Sequence, residues 1–251
     1  MADEVILYDI PSKPRCHGWS LNPWKTRMAL NYKKVPYKTE WIEFPDLAPK
    51  FKEFGLTSNE QGRPYTSPVV KFDSSTYIMD SAKIAPELEK RYPEPSLHLD
   101  SPLLPKAYAA VSAILEVSRP MLMRKVLPNL LNERSADYIS HTRAEALRKS
   151  REEYAKESVV EEVWRKLEVP LKNLAELSRG NEGPFVMGKT LVRKVAKANK
   201  RHAASYADFV ITSFLYYIRR IDRKDYDRMV AVDPALSEIF EACRPWFEKD
   251  D

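Results

Sequence analysis

Ser20 opens the run Ser20-Leu21-Asn22-Pro23-Trp24-Lys25-Thr26-Arg27, which follows a short apolar stretch and begins a helical pattern. The Ser20 hydroxyl thus stands at a helix start whose first backbone N–H groups have no partner within the helix. The partial positive charge of that terminus favours an anion over its protonated form, so the segment is able to stabilise a thiolate. Ser is also a common N-cap and Pro23 suits a first turn, so the same residues describe a plain capped helix. Asp80-Ser81 precedes a second helical pattern and is open to the same two readings, an N-cap or a carboxylate beside unpaired donors. No His–Asp pair can be identified that would activate Ser20 as a nucleophile. Cys16 lies in the loop before Ser20, and Cys243 is remote from it in sequence. The two form no CxxC or metal-spaced cluster and the four histidines are scattered, so neither a disulfide framework nor a metal site is expected.

The elements that must position these residues divide near residue 100. Residues 5–10 read as a strand, and Trp24, Met28 and Tyr32 mark one face of the helix that follows. Residues 37–44 alternate as a second strand, ahead of a short helical piece whose C-terminus Gly55 suits as a cap. Two short strands, 68–72 and 76–79, flank the turn-forming Asp73-Ser74-Ser75. Ile84, Leu88 and Tyr92 then share one face of a helix that Pro93 ends. The order βαβαββα predicts an α/β layer with a mixed sheet, because the last two strands are joined by a turn too short for a crossover.

Residues 94–105 are rich in Pro and Ser and read as a linker. Beyond them helical periodicity covers 106–132, 135–178, 205–222 and 234–248. Pro120 and Pro128 are expected to kink or break the first segment, and Pro170 to bend the second. Ser205-Tyr206-Ala207-Asp208 has the capping-box form with Asp208 in the third place, ahead of Phe209, Val210, Phe214, Ile218 and Ile221. So apolar a helix belongs in the core, and its cap is assigned to folding rather than chemistry.

A chain of 251 residues with 43% hydrophobic and 31% charged residues is an ordinary globular composition with ample material for a core. No apolar run approaches the roughly 18 residues that span a bilayer, so membrane insertion is not expected. Met1-Ala2-Asp3-Glu4 lacks the basic-then-apolar start of a signal peptide, which makes a cytoplasmic location the expectation. The net charge of +5 is local: subtracting Lys189, Arg193, Lys194, Lys197, Lys200 and Arg201 from the 41 basic residues leaves 35 against 36 acidic. No aromatic residues interleave with those cations, so the stretch reads as a solvated face and not as a nucleic-acid site.

Taken together, the βαβαββα order, the helical second half and four separated motifs resemble the soluble glutathione transferases over most of the chain. That resemblance implies an N-terminal thioredoxin-like domain over 1–95, a linker over 96–105 and an all-helical domain over 106–251 that completes a hydrophobic substrate pocket. Ser20 to Arg27 is similar to the family's active-site segment. Ser67-Pro68, ahead of a strand, resembles its cis-proline position, and Asp80-Ser81 resembles the acidic-Ser pair that holds the γ-glutamyl end of glutathione. Ser205 to Asp208 matches the capping box of its core helix. More narrowly, Trp19 to Arg27 and Tyr65-Thr66-Ser67-Pro68 resemble the fungal class related to bacterial lignin β-etherases.

By this resemblance glutathione is the co-substrate and no metal takes part. Ser20 would donate a hydrogen bond to the sulfur, with Asn22 as a second donor, while Arg27 braces the helix. The backbone of Ser67, turned by a cis bond to Pro68, would meet the cysteinyl part. Asp80 would pair with the γ-glutamyl ammonium, and Ser81 would hold its carboxylate. The thiolate would attack a hydrophobic aromatic electrophile or displace an ether or halide, in a pocket lined by Trp19, Trp24, Met121 and Met123. The family also implies a homodimer. Three alternatives stay open: a non-catalytic ligandin for aromatic compounds, thiol transfer through Cys16, and an interaction module docking through 189–201.

Overall fold

The computed structural model describes residues 4–14, 16–153, 156–179, 183–188 and 204–249. The basic stretch 189–201 lies outside the described residues. Four strands, β1 (Val5–Asp9), β2 (Tyr37–Trp41), β3 (Val69–Lys71) and β4 (Tyr77–Met79), form one sheet in the order β2-β1-β3-β4. β1 pairs parallel with β2, while β3 runs antiparallel to both β1 and β4, so the sheet is mixed.

Helix α1 (Leu21–Tyr32) supplies the crossover between β1 and β2, α2 (Leu47–Glu53) follows a 3-10 turn at Phe44–Asp46, and α3 (Ser81–Arg91) follows β4. Alternation along β1 sends Asp9 toward α1, where it meets Arg27, and Tyr8 to the opposite face, where its ring lies 4.9 Å from that of Phe54 just after α2. Gly55, at φ +72°, ends α2: its N–H donates to Lys52 O and that of Leu56 to Phe51 O, the paired bonds of a Schellman motif.

Among the described residues, the second half holds helices and no strand: α4 (Leu103–Leu130), α5 (Glu133–Thr142), α6 (Ala144–Glu153), α7 (Glu157–Arg179), α8 (Tyr206–Ile221), α9 (Arg223–Val230) and α10 (Pro234–Ala242). Helix α4 runs unbroken through Pro120 and Pro128, against the expected break, because it packs between α7 and α8 and that burial outweighs the roughly 3 kcal/mol cost of an interior proline. The expected helix at 135–178 is instead three helices. Arg143, at φ −130°, closes α5, and the charged sequence around it keeps helical spacing without enough apolar residues to hold a single rod. Pro170 lies inside α7 without ending it, with Leu167, Leu171 and Leu174 fully buried on either side.

α8 is the shared core helix. Asp208 is buried and accepts from the Ser205 N–H, the Ser205 hydroxyl and the Val186 N–H, each at 2.7 Å. The face of α1 carrying Met28 packs on it, with the hydroxyls of Thr212 and Ser213 3.5 Å from the Met28 sulfur. Below α1, the buried Lys33 ammonium donates to Glu89 at 2.7 Å and to the carbonyl of Pro95 at 2.8 Å, while Glu89 accepts from Ser96 and Leu97. The segment between α3 and α4 is thereby stapled to α1, and Leu97 O accepts from the first N–H of α8.

Candidate active site

The helix start at Ser20 sits where β1 hands the chain to α1. Ser20 has extended backbone, φ −80° and ψ 137°, and its carbonyl accepts from the Trp24 N–H at 3.1 Å. Its side chain makes no capping bond, and the first turn holds no acidic residue. Leu21 and Asn22 keep first-turn N–H groups that an α-helix leaves unpaired.

Position and rigidity come from beneath. Arg27 is fully buried and donates to Asp9 at 2.9 Å and to Thr39 at 3.0 Å, tying α1 to β1 and β2. Asp9, buried as well, also accepts from the Ile10 N–H at 2.7 Å. A side chain at position 18 would put its Cβ 3.1 Å from Arg27 Nε, so glycine is what lets the loop pass close over this pair. On the other side, Lys13 caps the end of α4, its N–H donating to Leu130 O at 2.8 Å and its ammonium to Pro128 O at 2.6 Å.

Ser20, Asn22 and Trp19 line a cleft of about 730 Å³ between the two halves. Its far wall is one stripe of α4, Leu115, Arg119, Met123 and Val126, joined by Tyr138 and Arg143 around α5 and by Tyr217 of α8. A second, smaller hollow is lined by Asp80, Asn59, Gln61 and Pro68. Asn22, Arg63, Thr66 and Ser67 line both.

The peptide between Ser67 and Pro68 is cis, as the family resemblance implies. The Ser67 hydroxyl donates to Tyr8 O at 3.1 Å, and the Asp80 N–H donates to Pro68 O at 3.1 Å. Asp80 has φ +85°, a conformation disfavoured for a residue with a Cβ, and its carboxylate accepts from the Ala82 N–H at 2.9 Å. It is thus both an N-cap and a wall of the smaller hollow.

Three expected positions are corrected by the structure. Trp24 is fully buried, its ring 4.3 Å from that of Tyr216 and 5.1 Å from that of Phe247, so it belongs to the core and not to the cleft. Met121 is equally buried, because two residues apart on a helix is about 200° of rotation and only Met123 faces the cleft. Ser81 lines neither hollow: its side chain is buried with no partner for its hydroxyl, and its carbonyl accepts from Tyr206 at 3.0 Å.

Sequence reasoning passed over Asn59, Gln61, Arg63 and Thr66, although a polar loop with Gly62 and Pro64 just before a cis-proline was a usable signal. Cys16 lines neither hollow, and burial pushes its thiol above the usual range, the reverse of what a reactive cysteine needs. Among the described residues no group of three or more His, Cys, Asp or Glu could hold a metal ion, and no helix is long and apolar enough to cross a membrane.

The family model for the glutathione S-transferase C-terminal domain matches residues 107–246, and that for the N-terminal domain matches 19–91. The chain belongs to the glutathione S-transferase family. The glutathione S-transferase-like protein ustS of Aspergillus flavus is 29% identical to it, over 92% of this chain and 86% of that protein. A glutathione S-transferase of Ceriporiopsis subvermispora, solved in complex with glutathione, superimposes with a TM-score of 0.80 at 28% identity, covering 97% of this transferase and 98% of that chain. Glutathione transferase GSTFuA3 of Phanerochaete chrysosporium gives a TM-score of 0.73 at 26% identity, with 98% of each chain covered. The family resemblance read from the motifs thus stands, and these relatives are fungal.

Proposed function

We propose that this glutathione transferase lays glutathione across the two joined hollows, with its sulfur at Ser20 and its γ-glutamyl end at Asp80, and delivers the thiolate to a hydrophobic aromatic electrophile in the larger cleft. The observation that supports this most directly is the shared lining. Asn22, Arg63, Thr66 and Ser67 are common to both hollows, so the two lie side by side, one beginning at a helix N-terminus with a hydroxyl and the other holding a carboxylate and a cis X-Pro bond.

The roles follow from charge. The thiol gives its proton to solvent, and the thiolate left behind is favoured by a hydrogen bond from the Ser20 hydroxyl and by the free N–H groups of the first turn. Asn22, on both hollows, is a second donor. The backbone of Ser67 meets the cysteinyl part, since its hydroxyl is already engaged with β1. Asp80 pairs with the γ-glutamyl ammonium, with the Gln61 carboxamide as a neutral donor to the carboxylate in place of the Ser81 side chain, since the Asn59 amide already donates to Arg63 O and Thr66 Oγ1. The sulfur then bonds to the electrophilic carbon while a halide or an aryl ether oxygen leaves with the electron pair. A cleft of about 730 Å³ suits a ligand of drug size.

The test compares wild type with Ser20→Ala in turnover of 1-chloro-2,4-dinitrobenzene and in glutathione affinity. Losing one hydrogen bond to a charged sulfur is expected to cost on the order of 1.5–3 kcal/mol, hence roughly tenfold or more in kcat/KM at pH 6.5, with glutathione still bound. Unchanged turnover would remove Ser20 from the chemistry. Glutathione binding without turnover of any electrophile would favour the ligandin reading.

A further inference from the structure

Among the described residues, three guanidinium groups, Arg63, Arg119 and Arg143, line the larger cleft, and no Asp, Glu or Lys does. None of the three forms an ion pair among the described residues; the one ring contact is Arg143 over Phe44 at 5.8 Å. They come from three separate elements: the loop before the cis-proline, the cleft stripe of α4 and the junction of α5 with α6. Burial and then the charge of Arg119 lower Arg63, and burial and then the charge of Arg63 lower Arg143, which falls to about 10. An apolar pocket gains nothing from gathering like charges in its lining, so this concentration is explained by a charge that the protein does not itself provide.

Glutathione accounts for at most part of it. Arg63 lines both hollows and is within the groove assigned to the tripeptide, but Arg119 and Arg143 line only the larger cleft. Beside them stand the rings of Tyr138, 41% exposed, and of Tyr217, which stacks on Trp19 with centroids 6.3 Å apart. Aromatic faces next to unpaired guanidiniums fit a flat ring bearing a negative group.

We propose that the second ligand of the cleft is an aromatic anion, a ring compound whose carboxylate or sulfonate is held by Arg119 and Arg143. This rests on the transferase reading, which supplies the first ligand and leaves this wall for the second. Two fluorescent probes of nearly the same shape separate charge from hydrophobicity: 8-anilinonaphthalene-1-sulfonate and the uncharged N-phenyl-1-naphthylamine. Wild type is expected to bind the sulfonate about tenfold more tightly than the amine at low salt, a gap that narrows at high salt. Arg119→Gln/Arg143→Gln should lose that preference while keeping its affinity for the amine to within about twofold and its affinity for glutathione. Both side chains are surface groups of the cleft, and an unchanged circular dichroism spectrum and Tm verify the fold of the variant.

Equal affinity of wild type for the two probes, or a preference that survives in the double variant, would overturn the proposal. So would a fall in glutathione affinity in the double variant, since the arginines would then serve the tripeptide. If wild type fails to bind glutathione while the sulfonate preference holds and depends on the two arginines, it is the transferase reading that falls, and the anion wall stands.

Discussion

Lys25 and Arg27 are two cations on the same helix, both withdrawn from water, with opposite fates. Arg27 has a carboxylate at 2.9 Å and stays charged, its pKa moved up because burial, the largest single effect, is outweighed by the charges and hydrogen bonds of Asp9 and Tyr37 taken together. Lys25 lies 4.9 Å from the ring centroid of Tyr108, and burial lowers its pKa to about 8 despite the nearby charge of Asp80. A lysine whose folded pKa lies below its unfolded value of about 10.5 destabilises the fold at every pH below 8, and the penalty fades as pH rises from 8 to 10.5. Lys25→Met should therefore stabilise the protein at pH 7 by on the order of 2 kcal/mol, part of the penalty being already offset by the Tyr108 ring. Urea midpoints of the two proteins should converge by about pH 10; a gain independent of pH would mean that packing and not charge is responsible.

Among the elements, α8 depends on its first turn most. Asp208 satisfies three donors at 2.7 Å, two from its own cap and one from Val186, so the carboxylate binds a helix start to a distant loop. Asp208→Ala leaves all three donors buried and unpaired, and the expected loss is about 3–5 kcal/mol, read as a lowered urea midpoint with unchanged slope. A loss under about 1 kcal/mol would show that water replaces the carboxylate there. Asp208→Asn, which keeps one acceptor, should fall between the two.

Across the whole molecule the halves are joined through α1, which lies between the sheet and α8, and through the Arg134–Asp46 ion pair and the Glu43 contacts with Asn132 and Ser135 around the cleft mouth. Such shared burial predicts one cooperative unfolding transition, with tryptophan fluorescence and far-UV circular dichroism coinciding in urea. Two resolved transitions would mean that the halves are separately stable and that the cleft between them opens without global unfolding.

The parts of the site legible in the sequence are those made by local backbone chemistry. Ser20 before a helix with Pro23 and Asp80 as an N-cap each leave a signature within a few neighbouring residues, and so do Gly55 and the Ser205–Asp208 box, whereas the cis bond at Pro68 is implied only by the family resemblance. The parts misread depend on which way an apolar side chain points. Trp24 and Met121 have the composition of pocket residues, yet periodicity identifies a face without saying whether its neighbour is another helix or open space. Arg63, Arg119 and Arg143 were invisible for the complementary reason: single arginines at unrelated positions carry no pattern until the fold converges them. The sequence by itself thus determined the order of the N-terminal elements and the helix starts at Ser20, Asp80 and Ser205, because these follow from residue types and periodicity within a few neighbouring positions. Only the tertiary structure decided what faces the cleft, because that follows from the packing of α1, α4, α5 and α8 against one another.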